Sequence, residues 1–210
     1  MSSDAKLYQS GNNWQKNRYK FMSEYNMEKG IAKFGKAKEK GNHYLHIIAR
    51  DDNNPFNLLG EQRILNAVHE RFKNKAGDLS RVLTNTVASQ PCCFNLFAPL
   101  NFPENKKLRN LLFSNLLQKE VNVTKMEIEY TPTLQESIGD QSKIGGTDSD
   151  LGVFYEYGNN KKGVLLLEFK YIEAEFSTCS SYKSKSKNIK PVCDSSSYYN
   201  TNIASCKNEP

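Results

Sequence analysis

The chain has 210 residues, enough for one domain with extensions, and only 38% are hydrophobic, so a core can form only where the apolar residues concentrate. No run approaches the roughly 20 apolar residues of a membrane span, and no apolar segment follows Met1-Ser2-Ser3-Asp4 as a secretory signal would require. The net charge of +6 favours polyanionic partners by long-range attraction and says nothing about fold.

Residues 1–50 read as a basic, aromatic-dotted N-terminal extension. Between Lys16 and Lys40 stand eight Lys or Arg against three Glu, with Trp14, Tyr19, Phe21, Tyr25 and Phe34 interleaved. Such a stretch can track a phosphate backbone through Lys16, Arg18, Lys20, Lys33 and Lys36. The plainer reading is a solvated helix that packs its aromatics on the core.

Residues 51–176 hold nearly all the periodic apolar runs and should form the core. Over 57–73, Leu58, Leu65, Val68 and Phe72 recur near helical spacing, with Leu59 and Ile64 beside them. Pro91 and Pro99 forbid one long helix over 80–100. A further helix is predicted over 104–119, its apolar stripe being Leu108, Leu111, Leu112, Leu116 and Leu117. The pattern then changes to period two at Met126-Glu127-Ile128-Glu129-Tyr130, which reads as a strand. A polar loop over 133–146 leads to a second strand, Leu151 to Tyr157, and Gly158-Asn159-Asn160-Lys161-Lys162-Gly163 has the composition of a hairpin turn. The third strand, Val164 to Ile172, is nearly continuous in apolar residues. Residues 177–210, rich in Ser, Lys, Tyr and Asn, give no reason for a packed core. The basic run Lys183 to Lys190 reads as a solvated tail that nucleic acid could order.

On the third strand, Leu165, Leu167, Phe169 and Tyr171 make one apolar face. Val164 and Leu166 begin the other, but Glu168 and Lys170 continue it. Charges at the end of so apolar a strand are costly to bury unless they pair or bind something. A hairpin turning about Asn160 sets Asp150 opposite Lys170 and Gly152 opposite Glu168, with facing Cβ atoms about 4.5–5.5 Å apart. Asp150, Glu168 and Lys170 then share one face, and Gly152 leaves room between the carboxylates. Two carboxylates so close should raise the pKa of one of them or hold a cation between them, and a hard divalent ion such as Mg²⁺ needs only one or two carboxylates plus waters and phosphate oxygens. The Phe169 carbonyl could add a ligand, and Lys170 could orient or deprotonate a water. The competing reading is a cross-strand salt bridge at an edge hairpin, worth little when exposed.

Asp150 followed by Glu168-Phe169-Lys170, with Gly145-Gly146-Thr147-Asp148-Ser149 leading in, resembles the PD-(D/E)XK nuclease superfamily. No Pro directly precedes Asp150. The order of helix, strand and hairpin over about 57–172 resembles that family's core, and Ser89-Gln90 with Phe94-Asn95-Leu96-Phe97 is similar to a restriction-endonuclease branch. The resemblance implies an α/β, restriction-endonuclease-like core: a mixed central sheet with a β-hairpin, flanked by helices. It implies Asp150 and Glu168 as metal ligands for Mg²⁺ (or Mn²⁺), Lys170 as catalytic lysine, and cleavage of DNA or, less often, RNA. Many members add a helix glutamate, for which Glu61 is the best match and Glu129, on the first strand, a second candidate. Asp148 reads as a loop carboxylate. Many restriction-like enzymes act as homodimers, and a binding module that keeps the fold without cutting is the rival function.

The five cysteines are odd in number and irregularly spaced, which fits a reducing cytoplasm. Cys179, Cys193 and Cys206 lack a zinc spacing and read as incidental thiols, and Cys92-Cys93 as buried packing. His43, His46 and His69 show no paired metal spacing and should have ordinary surface or interface roles, the first two on a possible helix.

Overall fold

A computed structural model describes residues 5–36, 41–73, 78–132 and 149–172. The described residues up to Tyr130 and from Ser149 onward belong to one compact unit. The loop at 133–146, the Asp148 carboxylate, the C-terminal segment with its basic run, and Cys179, Cys193 and Cys206 lie outside the described residues.

The first helix, α1 (Asn13–Glu28), starts at a reciprocal cap. The Asn12 side chain accepts from the Gln15 N–H at 2.9 Å, and the Gln15 side chain accepts from the Asn12 N–H at 3.1 Å. It ends where Gly30 takes a φ of +76° and its N–H returns to the Met27 carbonyl. Strands β1 (Phe34–Lys36) and β2 (His43–Ile48) pair antiparallel beside it. Buried Asn26 joins the pieces, donating to the Leu45 carbonyl at 2.9 Å and to Thr86 Oγ1 at 3.2 Å. Of the N-terminal aromatics, Tyr19 packs on Tyr8 and His46, while Trp14 and Phe21 stay exposed.

Helix α2 (Gln62–Lys73) begins later than its apolar pattern suggests. Leu58 is buried from a loop, because Asn57 and Asn95 bind the backbone there: Asn95 Nδ2 donates to the Asn57 carbonyl and Asn95 Oδ1 accepts from the Leu59 N–H. Ile64, Leu65 and Val68 supply its buried face, and Leu59 is exposed. Helices α3 (Leu79–Thr84) and α4 (Ser89–Phe97) follow. Pro91 fits within the first turn of α4, where its missing N–H costs nothing, and Pro99 opens a short 3-10 turn after it.

Helix α5 (Lys106–Leu117) departs from expectation. Leu108, Leu111, Leu112 and Leu116 are exposed, and Phe113 is the residue it buries. Polar side chains fix this rotation. Arg109 donates to the carbonyls of Leu100 and Val123, Asn110 Oδ1 accepts from the Val123 N–H, and Ser114 Oγ accepts from the Val121 N–H. These bonds dock the 109–110–113–114 face on the entry to the next strand, so the leucines face outward.

The main sheet has the order β3 (Asn122–Tyr130), β4 (Ser149–Tyr157), β5 (Lys161–Leu167). Every strand pairing in it is antiparallel, so the mixed sheet expected above is not seen among the described residues. Met126, Ile128, Leu151 and Val153 face the core and meet Ile64, Val68, Cys93, Phe94 and Phe113 from the helices. Strand β5 ends at Leu167, ahead of the predicted Ile172, and leaves Glu168-Phe169-Lys170 just beyond the ladder.

Candidate active site

The β4–β5 hairpin closes one residue earlier than an Asn160-centred turn would. Asn160 takes a φ of +57° and Gly158 one of +51°, so Tyr157 pairs with Lys161, and Leu151 with Leu167. One further step of that register sets Asp150 opposite Glu168, not Lys170, and Gly152 faces Leu166. The shift is two residues, an even number, so facing is preserved: Asp150, Gly152, Glu168 and Lys170 keep the side opposite the core residues Leu151, Val153 and Leu167. The backbone N–H of Phe169 donates to Asp150 Oδ2 at 2.5 Å. The Lys170 ammonium donates to Glu168 Oε1, the two side chains being partly exposed.

Gly152 does not leave open space. A Cβ there would stand 2.8 Å from the Tyr130 ring, which lies over it and packs edge-on against Phe154. The cause is at Glu129, whose φ of +56° breaks the alternation of β3. The register Ile128↔Leu151 and Tyr130↔Ser149 puts Glu129 level with Asp150. Glu129, Asp150 and Glu168 therefore come from three adjacent chain segments at one level of the sheet. The Glu129 carboxylate accepts from Gln90 Nε2 of α4 at 3.1 Å. Arg71 of α2 donates to the Glu129 carbonyl from Nε and Nη2, at 2.9 and 2.5 Å, and from Nε to the Ile128 carbonyl at 3.2 Å.

The fully buried Cys93 thiol, one turn along α4 from Gln90, has its pKa pushed up first by burial, then by Asp150, Glu129, Cys92 and Glu168. One buried atom thus feels all three carboxylates. Gln90 and Arg71 carry no periodic signal as site residues; only the Ser89-Gln90 similarity touched one of them.

Glu61 stands elsewhere. Its carboxylate pairs with Arg63 at 2.5 Å, and Arg63 also reaches Glu104 at 2.6 Å. Arg18 is exposed on α1 and stacks on Trp14, while Lys20 pairs with Glu24. Lys16 is half-buried; Lys33 and Lys36 are exposed near β1. Helix α1 runs beside the chain that follows Lys170: the Tyr171 hydroxyl donates to Met22 Sδ at 3.6 Å, and burial, then Cys92, push the Tyr171 phenol's pKa up against the opposing charge of Arg18. His43 and His46 lie on strand β2, not a helix, and His46 is buried among Tyr8, Tyr19 and Tyr44. Cys92 and Cys93 are free thiols.

Among the described residues, no three His, Cys, Asp or Glu side chains gather closely enough to hold a metal ion by themselves. Asp150 and Glu168 nevertheless give two hard oxygen donors, and the Lys170 ammonium on Glu168 marks a position where a cation offsets the carboxylate. That donor set fits a hard divalent ion that keeps several waters, as Mg²⁺ does. No described helix is long and apolar enough to cross a membrane.

The model of the PD-(D/E)XK nuclease superfamily matches residues 4–208 of the chain. No curated protein and no solved structure gives a significant match.

Proposed function

Because the chain belongs to the PD-(D/E)XK nuclease superfamily, we propose that it is a metal-dependent nuclease that hydrolyses phosphodiester bonds of DNA, of restriction, defence or repair type. The observation that carries this reading is the hairpin register, which brings Asp150 level with Glu168 and leaves Lys170 on the same side within the span that matches the family.

Asp150 and Glu168 would hold Mg²⁺ or Mn²⁺, with the Phe169 carbonyl as a further oxygen. When bound, the ion would lower the pKa of a water and stabilise the charge that develops at phosphorus. The chain's own groups then have separate tasks. The Phe169 N–H fixes the Asp150 carboxylate in one rotamer, so that its other oxygen has a defined direction. Lys170, held beside Glu168, orients the attacking water and offsets phosphate charge. Glu61 as an added ligand is not favoured, because Arg63 engages its carboxylate. The α1 cations Lys16, Arg18 and Lys20, with Lys33 and Lys36, would meet the phosphate backbone. Free thiols at Cys92 and Cys93 are compatible with work in the cytoplasm.

The test is incubation with plasmid and linear DNA, with Mg²⁺ or with EDTA, alongside Lys170→Ala. Cutting should require the metal and disappear in the variant. Retention of DNA without cutting under every condition would instead make the chain a binding module of the same fold.

A further inference from the structure

Three aromatic side chains of α1 take no part in the core or in the proposed reaction. Trp14, Phe21 and Tyr25 are 42%, 56% and 37% exposed, while Tyr19, the helix's other aromatic, turns inward onto His46. Large apolar side chains scattered singly over a surface need no explanation, but these are not scattered. Residues 14, 18, 21, 25 and 29 recur at steps of three or four, so Trp14, Arg18, Phe21, Tyr25 and Lys29 fall on one line along the helix. The line runs for about 22 Å at the helical rise of about 1.5 Å per residue. Both cations stand over rings: the Arg18 guanidinium lies 5.4 Å from the Trp14 ring centroid, and the Lys29 ammonium 5.4 Å from that of Tyr25. The exposed Phe56 ring, with its centroid 6.2 Å from that of Tyr25, extends the line past the end of α1.

A strip that interleaves exposed rings with cations matches an unpaired nucleic-acid strand. Such a strand offers base faces and phosphates side by side. Rings stack on bases of any identity, and cations meet the phosphates. In a duplex the base faces already stack on one another, so exposed rings have little to gain there. The match lies in where the cations stand rather than in the helix's overall charge, since Lys20 pairs with Glu24, and Glu28 stands at the margin of the strip. The strip also adjoins the segment that carries Lys170. Tyr171, itself partly exposed, donates its hydroxyl to Met22, the neighbour of Phe21. A strand laid along α1 therefore lies beside the chain that holds Glu168 and Lys170.

We propose that the exposed line of Trp14, Phe21 and Tyr25 on α1, with Arg18 and Lys29, binds single-stranded DNA by base stacking and presents an unpaired strand to the candidate active site. The proposal rests on the nuclease reading above and names the substrate class for it.

Trp14 is the chain's single tryptophan, so its fluorescence reads the contact directly. The full chain is titrated in EDTA, which prevents metal-dependent cleavage, with a short oligothymidylate and with a blunt duplex of equal length. The single strand should quench Trp14 emission and bind about tenfold or more tighter than the duplex. Phe21→Ala and Tyr25→Ala should each weaken its binding about tenfold, with thermal unfolding as in the parent. Phe21→Leu keeps an apolar side chain without a ring and should bind as poorly as Phe21→Ala, whereas Phe21→Tyr should bind as the parent does. Binding that is absent, that favours the duplex, or that is unchanged in Phe21→Ala and Tyr25→Ala overturns the inference. If plasmid cutting still requires Mg²⁺ and Lys170, the nuclease reading stands. A blue shift of Trp14 emission on anionic vesicles, with no response to oligothymidylate, would assign the strip to a lipid surface and overturn the inference equally. A chain that binds neither form of DNA and cuts neither with Mg²⁺ overturns both readings.

Discussion

The Phe169 N–H donates to Asp150 Oδ2 at 2.5 Å, which ties the segment after β5 to the start of β4. The same bond sets the two halves of the Asp-to-Lys motif against each other, because Phe169 stands between Glu168 and Lys170. Asp150→Asn keeps an oxygen that can accept this N–H and removes the charge. We expect it to fold as the parent does, with DNA cleavage reduced by about 100-fold or more. Parallel thermal unfolding and Mg²⁺-dependent plasmid cleavage check the two halves of the expectation. A variant that cleaves within threefold of the parent would remove Asp150 from the site.

The hairpin was legible because apolar alternation and a Gly-Asn turn are local signals. Its register was two residues off because the left-handed backbone of Asn160, which tightens the turn, is not encoded by composition alone. An even shift does not exchange faces, so the register of β4 and β5 still extends to Asp150 and Glu168 on one side. Glu129 was harder. It alternates in sequence with Ile128 and Tyr130, and only the long-range contacts of Arg71 and Gln90 reveal that it breaks that alternation. Helix α5 misled for a related reason: periodicity identified the leucine stripe, but Arg109, Asn110 and Ser114 decide which stripe faces inward.

The bend at Glu129 predicts intolerance at Gly152. A methyl group there would meet Cβ, Cγ and Cδ1 of Tyr130 at 2.8–3.0 Å, and Phe154 blocks the ring's retreat. Gly152→Ala should destabilise by about 1–3 kcal/mol, as overpacking does. Urea unfolding measures it, and Gly152→Ala with Tyr130→Ala should recover part of the overpacking cost. Equal losses in the single and double variants would mean that the ring is not the obstacle.

Helix α5 gives a contrast between residues of similar hydrophobicity. Phe113→Ala should lower stability by about 3–5 kcal/mol, since its ring is 1% exposed within the core. Leu111→Gln, at 59% exposure, should change it by less than about 0.5 kcal/mol. Denaturant midpoints for both variants check the assigned face. Comparable losses would show that the leucine stripe is buried.

If the α1 cations meet phosphates, their removal should weaken DNA binding about equally for all sequences. Each lost contact should make the slope of log affinity against log salt shallower by about one. Arg18→Ala and Lys16→Ala, measured in EDTA so that cleavage does not interfere, supply the comparison. An unchanged slope in the double variant would assign these cations to solvation alone.

His46 predicts the acid side of the stability profile. The ring is 4% exposed among Tyr8, Tyr19 and Tyr44, and burial lowers its pKa from 6.5 to about 4. In the unfolded chain the imidazole takes a proton below pH 6.5, whereas in the folded chain it does so only below about 4. Between those values the unfolded state binds more protons, so stability falls as pH falls, by up to about 3 kcal/mol across the window. Above pH 6.5 this group contributes no slope. His46→Phe removes the titrating ring and keeps an aromatic body among the three tyrosines. Its unfolding free energy should therefore vary less between pH 6.5 and pH 4 than that of the parent, and equal slopes in the two proteins would place the acid sensitivity on other groups.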